Sequence, residues 1–300
     1  MTSENPTHSK RDRKSGGAKS EEPTSDATAD AESAVGLRGT DLVVGYPGME
    51  TPVIDGESIA VPPDGVTALI GPNGSGKSTL LKGLANKLDP SDGTVVLDGD
   101  AIDTMGTKAL ARKLGLLSQE HATPEGISVA DLVERGRYPH CGFFESLTDE
   151  DRRAVDRAIQ MAGIDHLRER DVGSLSGGQK QLVWIAMALA QETDVLLLDE
   201  PTTFLDPHHQ LEVMQVVETL RDESDTTVVL VLHDIGQAAR YADHVVALKD
   251  GSVYARGAPE STITTQLLAD VFDIEAAVLD TDHGLQVVPV DPLHDDDRSA

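Results

Sequence analysis

The sequence predicts an α/β fold with a buried parallel sheet, and three observations carry that expectation. An apolar run, Val66-Thr67-Ala68-Leu69-Ile70, leads straight into Gly71-Pro72-Asn73-Gly74-Ser75-Gly76-Lys77-Ser78-Thr79. A second apolar run, Val195-Leu196-Leu197-Leu198, ends in the acidic pair Asp199-Glu200. Around both, strand-length apolar runs alternate with helix-length amphipathic ones, the pattern of a parallel sheet covered by helices.

The elements follow in order. Residues 1 to about 35 are rich in Ser, Thr, Glu, Asp, Lys and Gly and nearly free of large apolar side chains. Such a segment buries too little surface to offset its ordering entropy and is expected to be disordered. Order should begin near Leu37, with Asp41 to Tyr46 as a strand and Val66 to Ile70 as a buried one. Lys77 to Leu88 reads as a helix, then Gly93 to Leu97 as a strand closing at the turn Asp98-Gly99-Asp100. From about 120 to 175 the pattern turns helical, as an inserted subdomain would. Ser128 with Asp131 caps a helix running to Gly136, and Val155, Ile159 and Ala162 line one face of a helix from Thr148. Alternation then resumes with a helix at 177–191, a strand at 195–199, a helix at 208–221 and a strand at 227–232. A short helix from 235 and a hairpin through Asp250-Gly251 complete an ordered domain of residues 36–262. Residues 263–300 read as a partly ordered extension: a short helix near Leu267 to Phe272, then acidic, poorly patterned sequence.

Composition narrows the classes. Hydrophobic residues make up 39% but aromatics only 3%, so the core must be built from Val, Leu, Ile and Ala. No apolar run is long enough to span a bilayer, and no signal-peptide core opens the chain, so a cytoplasmic location is expected. One cysteine, Cys141, fits a reducing compartment and precludes an internal disulfide. Twenty-five basic residues against 52 acidic ones give a net charge of −27, which argues against nucleic-acid binding through a basic surface. Repulsion among so many carboxylates needs strong screening, which points to a salt-rich cytoplasm; the alternative is an acidic mesophilic protein kept soluble by its charge.

The glycine-rich segment carries the first chemistry. Gly71, Gly74 and Gly76 let the backbone curl so that successive N–H groups meet phosphate oxygens, and the helix beginning at Lys77 adds its positive end. In this motif Lys77 reaches the β- and γ-phosphates of a nucleoside triphosphate and Ser78 ligates Mg²⁺, with Pro72, Asn73, Ser75 and Thr79 completing the cradle. Asp199 and Glu200 arrive at the C-terminal edge of a strand, where ligands of parallel sheets bind. Asp199 is expected in the Mg²⁺ shell, and Glu200 is expected to polarise the attacking water. Leu175-Ser176-Gly177-Gly178-Gln179 runs directly into the apolar helix that begins Val183-Trp184-Ile185, so it is a second helix-start anion site rather than a linker.

Phosphate loop, LSGGQ and acidic pair in this order resemble the ATP-binding-cassette (ABC) ATPases. The resemblance implies a P-loop NTPase cassette: a RecA-like core sheet, an antiparallel β subdomain and an inserted α-helical subdomain. It also implies that Ser176, Gly177, Gly178 and Gln179 face the γ-phosphate of ATP bound by a second copy, with Asp206 of the D-loop beside them. His233 matches the family's switch histidine, and Gln119 matches the glutamine that senses Mg²⁺ and the water. Tyr46 matches the aromatic that stacks on adenine. Gly136-Arg137-Tyr138-Pro139-His140 and Glu200-Pro201-Thr202-Thr203-Phe204-Leu205-Asp206 look like ATPases of importers for iron(III)-siderophores, haem and cobalamin. Leu182, where the family often has Arg, and Gly236-Gln237 depart from the pattern, at positions expected to carry no chemistry.

The implied machine is a homodimer on two membrane permease subunits, fed by a substrate-binding protein and peripheral to the cytoplasmic face of the membrane. The alternative is a soluble ABC ATPase that moves no solute, such as one serving iron–sulfur cluster assembly. An exposed group at Tyr138-Pro139-His140 and Phe143-Phe144 is the expected permease contact. His208, His209 and His140 with Cys141 lack metal-site spacing and read as surface or interface residues.

Overall fold

Fully buried five-residue strands dictate the centre of the molecule. The computed structural model describes residues 36–119, 121, 126–142, 146–282 and 284–293. The expected tail at 1–35 and the pair Phe143-Phe144 lie outside the described residues. In chain order, β1 (Leu37–Val44) and β2 (Ile54–Val61) precede β3 (Val66–Ile70), α1 (Lys77–Leu84), β4 (Asp92–Leu97) and β5 (Asp100–Ala101). Then come α2 (Thr107–Lys113), β6 (Leu114–Leu117), α3 (Val129–Glu134), α4 (Asp149–Met161) and α5 (Gly177–Leu189). The chain continues through β7 (Val195–Asp199), α6 (Pro207–Glu223), β8 (Thr227–Val231), α7 (Ile235–Tyr241), β9 (His244–Lys249) and β10 (Ser252–Gly257). It closes with α8 (Pro259–Thr262), α9 (Thr265–Phe272), β11 (Ile274–Thr281) and β12 (Gly284–Pro292).

The central sheet has the order β10-β9-β3-β8-β7-β6, and all its neighbours are parallel except β10. Every residue of β3, β7 and β8 is buried, as strands covered on both faces require. Alternation along them splits the core in two. Ala68, Leu196, Leu198, Val228 and Leu230 face the helices of the inserted segment and the C-terminal half. Leu69, Leu197, Val229 and Val231 face α1 and a second, antiparallel sheet ordered β2-β1-β4-β5.

A buried arginine ties the helical segment to the core. Arg137 lies in a 3₁₀ turn after α3, and its Nε donates to Asp151 Oδ1 at 2.9 Å. Its guanidinium also donates to the Ala190 carbonyl (2.8 Å) and to Glu192 Oε2 (2.9 Å), beyond the end of α5. Asp151 accepts the Thr148 hydroxyl and backbone N–H as well. The Thr148 hydroxyl, then the Thr148 N–H and Arg137, hold its carboxyl at about 2 despite the opposing effect of burial. Gly136 is obligatory here, because a Cβ would sit 2.1 Å from the Met187 carbonyl oxygen. Gly136 and Arg137 are therefore packed inside while Tyr138 is 65% exposed.

Several features differ from the sequence expectation. Strand β1 spans Leu37–Val44 rather than Asp41 to Tyr46, which leaves Tyr46 beyond its end. Helix α1 stops at Leu84, and Asn86 takes a left-handed conformation (φ 54°), one way a helix is terminated. Strand β2 is masked in the sequence by Asp55, Gly56 and Ser58 on its exposed positions and by the half-buried Glu57. The poorly patterned stretch after Phe272 is an antiparallel hairpin, β11 with β12. Pro289 and Pro292 weaken its strand signal, yet a two-stranded sheet has free outer edges where proline is tolerated.

Candidate active site

Strand order assembles the site. Adjacent parallel strands β3, β8, β7 and β6 deliver their C-terminal ends to one edge. That edge receives, respectively, the 71–79 loop, His233, Asp199-Glu200 and Gln119. Four segments far apart in sequence thus meet where parallel sheets bind ligands.

The loop is shaped by close approach. At Gly71 a Cβ would lie 2.3 Å from the Leu248 carbonyl oxygen, and Gly76 (φ 96°) packs on Ile54. Lys77 is buried, and its ammonium donates to the carbonyls of Gly71 (2.8 Å) and Pro72 (2.9 Å). Burial lowers its pKa, against the charges of Glu200 and Asp199. Ser78 donates its hydroxyl to Asp199 Oδ1 at 2.7 Å. Asp199 Oδ2 is buried without a hydrogen bond, its nearest cation being Lys82 at 3.8 Å. Burial raises the Asp199 pKa, opposed by the Ser78 hydrogen bond and then Lys82. An orphaned carboxylate oxygen beside a serine hydroxyl is a hard-oxygen donor set that fits Mg²⁺.

Glu200 is the convergence point. Its Oε2 accepts from Gln119 Nε2 (2.6 Å) and from the Thr203 hydroxyl (3.1 Å), and Oε1 lies 2.6 Å from His233 Nε2. Its backbone is left-handed (φ 54°), a cost that a non-glycine residue bears most often at functional sites. Of the three residues expected to be catalytic, His233 and Gln119 each contact Glu200. Tyr46 is half-exposed, with its hydroxyl 3.5 Å from that of Thr79 on α1.

The second anion motif lies on a different element. Ser176 caps α5, accepting from the Gln179 N–H at 3.2 Å, and Gln179 Oε1 accepts from the Ser176 N–H in return. Among the described residues, no hydrogen bond or ion pair joins this cap to the 71–79 loop. Asp206 caps α6, accepting the His209 N–H at 3.1 Å on Oδ1 and contacting His209 Nδ1 at 2.9 Å through Oδ2. The His209 contacts hold the Asp206 carboxyl below its usual range. Both Asp206 oxygens are thus engaged within their own chain.

Sequence reasoning missed five side chains here. Lys82 was legible, one helical turn after Ser78 on α1. Thr203, His209, Gln210 and Gln237 were not, because their partners are set by tertiary packing. His209 is no free surface histidine, since its ring fills the space a Gly178 Cβ would take, 2.2 Å from Cγ. Gln237 bonds to Thr202 and Gln210, so that departure from the family pattern has a structural role, whereas Leu182 simply joins the core.

Known proteins bear on this geometry. The family model described as ABC transporter matches residues 54–203. The ferric enterobactin transport ATP-binding protein of Escherichia coli is 45% identical over 249 residues, covering 83% of this chain and 91% of the relative. A probable siderophore transport system ATP-binding protein of Bacillus subtilis is 46% identical, covering 75% and 82%. The cobalamin import ATP-binding protein of Halobacterium salinarum is 40% identical, with 83% of this chain and 62% of that protein covered. Among solved structures, a metal-chelate type ABC transporter in an inward-facing conformation superposes with TM-score 0.73 at 27% identity, covering 87% of this chain and 99% of that one. A dimeric cassette bound to ADP and Pi gives 0.65 at 27% identity, covering 74% and 98%. The sheet-edge site, the fold and these likenesses converge: the chain belongs to the ABC transporter ATP-binding family, as an ATPase subunit that binds nucleotide.

Proposed function

We propose that this chain is the ATP-hydrolysing subunit of an importer for an iron(III)-siderophore, with haem and cobalamin as the neighbouring substrate classes. The observation that carries the catalytic part is the Glu200 carboxylate, held by Gln119, Thr203 and His233 beside the Ser78–Asp199 pair. Phosphates entering the 71–79 loop take the Lys77 ammonium from the Gly71 and Pro72 carbonyls it now bonds. Glu200 then orients and polarises the water that attacks the γ-phosphorus in line, and His233 reports on the γ-phosphate through its contact with Glu200. Ser78, Asp199 and Gln119 are the side chains that would hold Mg²⁺. When bound, that ion neutralises charge on the β- and γ-phosphates.

Two copies are needed because Ser176–Gln179 and the 71–79 loop are separate in one chain. The reading is therefore a homodimer in which each signature closes over the other copy's ATP. Closure is passed by the helical segment at about 120–175 to a permease of many transmembrane helices, with a substrate-binding protein delivering the solute. No helix among the described residues is long and apolar enough to cross a membrane, which is consistent with a peripheral subunit at the cytoplasmic face. The exposed Tyr138 supports a permease contact on that segment. The iron-chelate assignment rests on relatives that serve siderophore transport. Deleting the gene is expected to abolish uptake of a radiolabelled iron(III)-siderophore while intracellular metabolism is otherwise intact. Normal uptake of iron chelate, haem and cobalamin by the deletion strain would sink the importer reading.

The charge of −27 leads to a second expected result. Folding and ATPase activity should rise toward molar KCl, because carboxylate repulsion reaches about 10 Å at 0.1 M salt and about 3 Å at 1 M. A melting temperature highest at low salt would contradict a halophilic adaptation.

A further inference from the structure

The turn after Glu200 is bolted to two other parts of the chain. Gln237, on α7 just past His233, accepts the Thr202 hydroxyl on Oε1 at 3.0 Å and donates from Nε2 to Gln210 Oε1 at 3.1 Å. Gln210, on α6, donates from its own Nε2 to the carbonyls of Thr202 (3.3 Å) and Leu205 (3.1 Å). Each amide therefore uses both its oxygen and its nitrogen, which fixes its orientation. Helix α7 is itself pinned behind the switch histidine, because the Gln237 N–H donates to Asp234 Oδ1 at 3.1 Å. On the other side, His209 grips Asp206 through Nδ1 and lays its ring on Gly178 of the signature helix.

We propose that His209 and Gln237 are positioning residues. They make the 202–206 turn a rigid coupler between a chain's own γ-phosphate-sensing segment and the signature that it presents to the other copy. The inference rests on the shared-site dimer proposed above. It assigns the communication between the two ATP sites to one amide pair and one histidine. His233 and Asp234 head α7, Gln237 and Gln210 carry the position of α7 into the turn, and His209 carries the turn into Gly178. A shift of α7 on loss of the γ-phosphate thereby displaces Ser176–Gln179, the half-site of the partner's ATP. Such coupling acts between sites and leaves the local affinity of the 71–79 loop untouched.

The test uses Gln237→Met, which keeps length but no hydrogen bond, and His209→Phe, which keeps the ring on Gly178 but drops the Asp206 bond. Both are expected to bind a non-hydrolysable ATP analogue within about twofold of wild type, with kcat lower by about tenfold and a flattened sigmoidal dependence on ATP. His209→Asn, whose amide nitrogen can keep the Asp206 bond but which has no ring to lay on Gly178, should lower kcat and flatten the ATP dependence as His209→Phe does. Gln210→Met breaks the same amide pair from α6 and serves if Gln237→Met does not fold. ATP-driven dimerisation of Glu200→Gln is measured alongside. If that dimer forms but the variants keep wild-type kcat and sigmoidality, the coupler is overturned and the dimer stands. Should no dimer form with ATP, the shared-site reading falls and the coupler falls with it.

Discussion

Glu200→Gln is expected to lower kcat by about 10²–10⁴ while leaving ATP binding near wild type. Gln is nearly isosteric, so the contacts from Gln119 and Thr203 to one side of the group and from His233 to the other can largely persist. What disappears is the negative charge that polarises the water. The amide also puts an N–H₂ where one carboxylate oxygen accepted, so one of those partners must reorient. The left-handed backbone at Glu200 fixes where the group points, and the neighbouring Asp199 carboxylate is tied to Ser78. Phosphate release together with binding of a fluorescent ATP analogue reads both quantities. Turnover close to wild type would remove Glu200 from the mechanism.

Lys77→Ala is expected to act at the other step, raising the Kd for ATP by roughly 10- to 100-fold. That range follows from losing one charge-assisted contact to phosphate. The substitution removes a buried ammonium whose pKa burial already lowers, so the folded protein tolerates the change. Its cost to the apo state is the loss of the hydrogen bonds to the Gly71 and Pro72 carbonyls, roughly 1 kcal/mol each, and of the attraction to Glu200 and Asp199. Calorimetric titration with ATP checks the affinity, and thermal unfolding checks the fold. Unchanged affinity would show that the Gly71–Thr79 loop is not the triphosphate site.

Both predictions concern residues that stood in contiguous motifs, and that is why they were legible. A phosphate loop must be local, because successive backbone N–H groups build it. Strands β3, β7 and β8 were equally plain, since burial on both faces makes them apolar throughout. Strand β2 and the β11–β12 hairpin escaped because many of their positions face solvent and Asp, Glu or Pro interrupts the apolar pattern. The Arg137 anchor escaped for another reason. Its partners Asp151 and Glu192 lie 14 and 55 positions away, and only the packing of α4 and α5 brings them together. Gln237 repeats that lesson inside the site, since Thr202 is 35 positions from it. Spacing reveals what one turn or one helix face brings together, and it is silent about amides that meet across elements.

A shared site is the central claim, and crosslinking tests it most directly. Cys141 is the single native cysteine, so Cys141→Ser clears the background. In Glu200→Gln chains so cleared, one preparation carries Asn73→Cys in the phosphate loop and a second carries Ser176→Cys in the signature. Mixed with a short bismaleimide, the two are expected to give a covalent heterodimer with ATP and none without it. Absence of that heterodimer at saturating ATP, with the chain sedimenting as a monomer, would contradict the account.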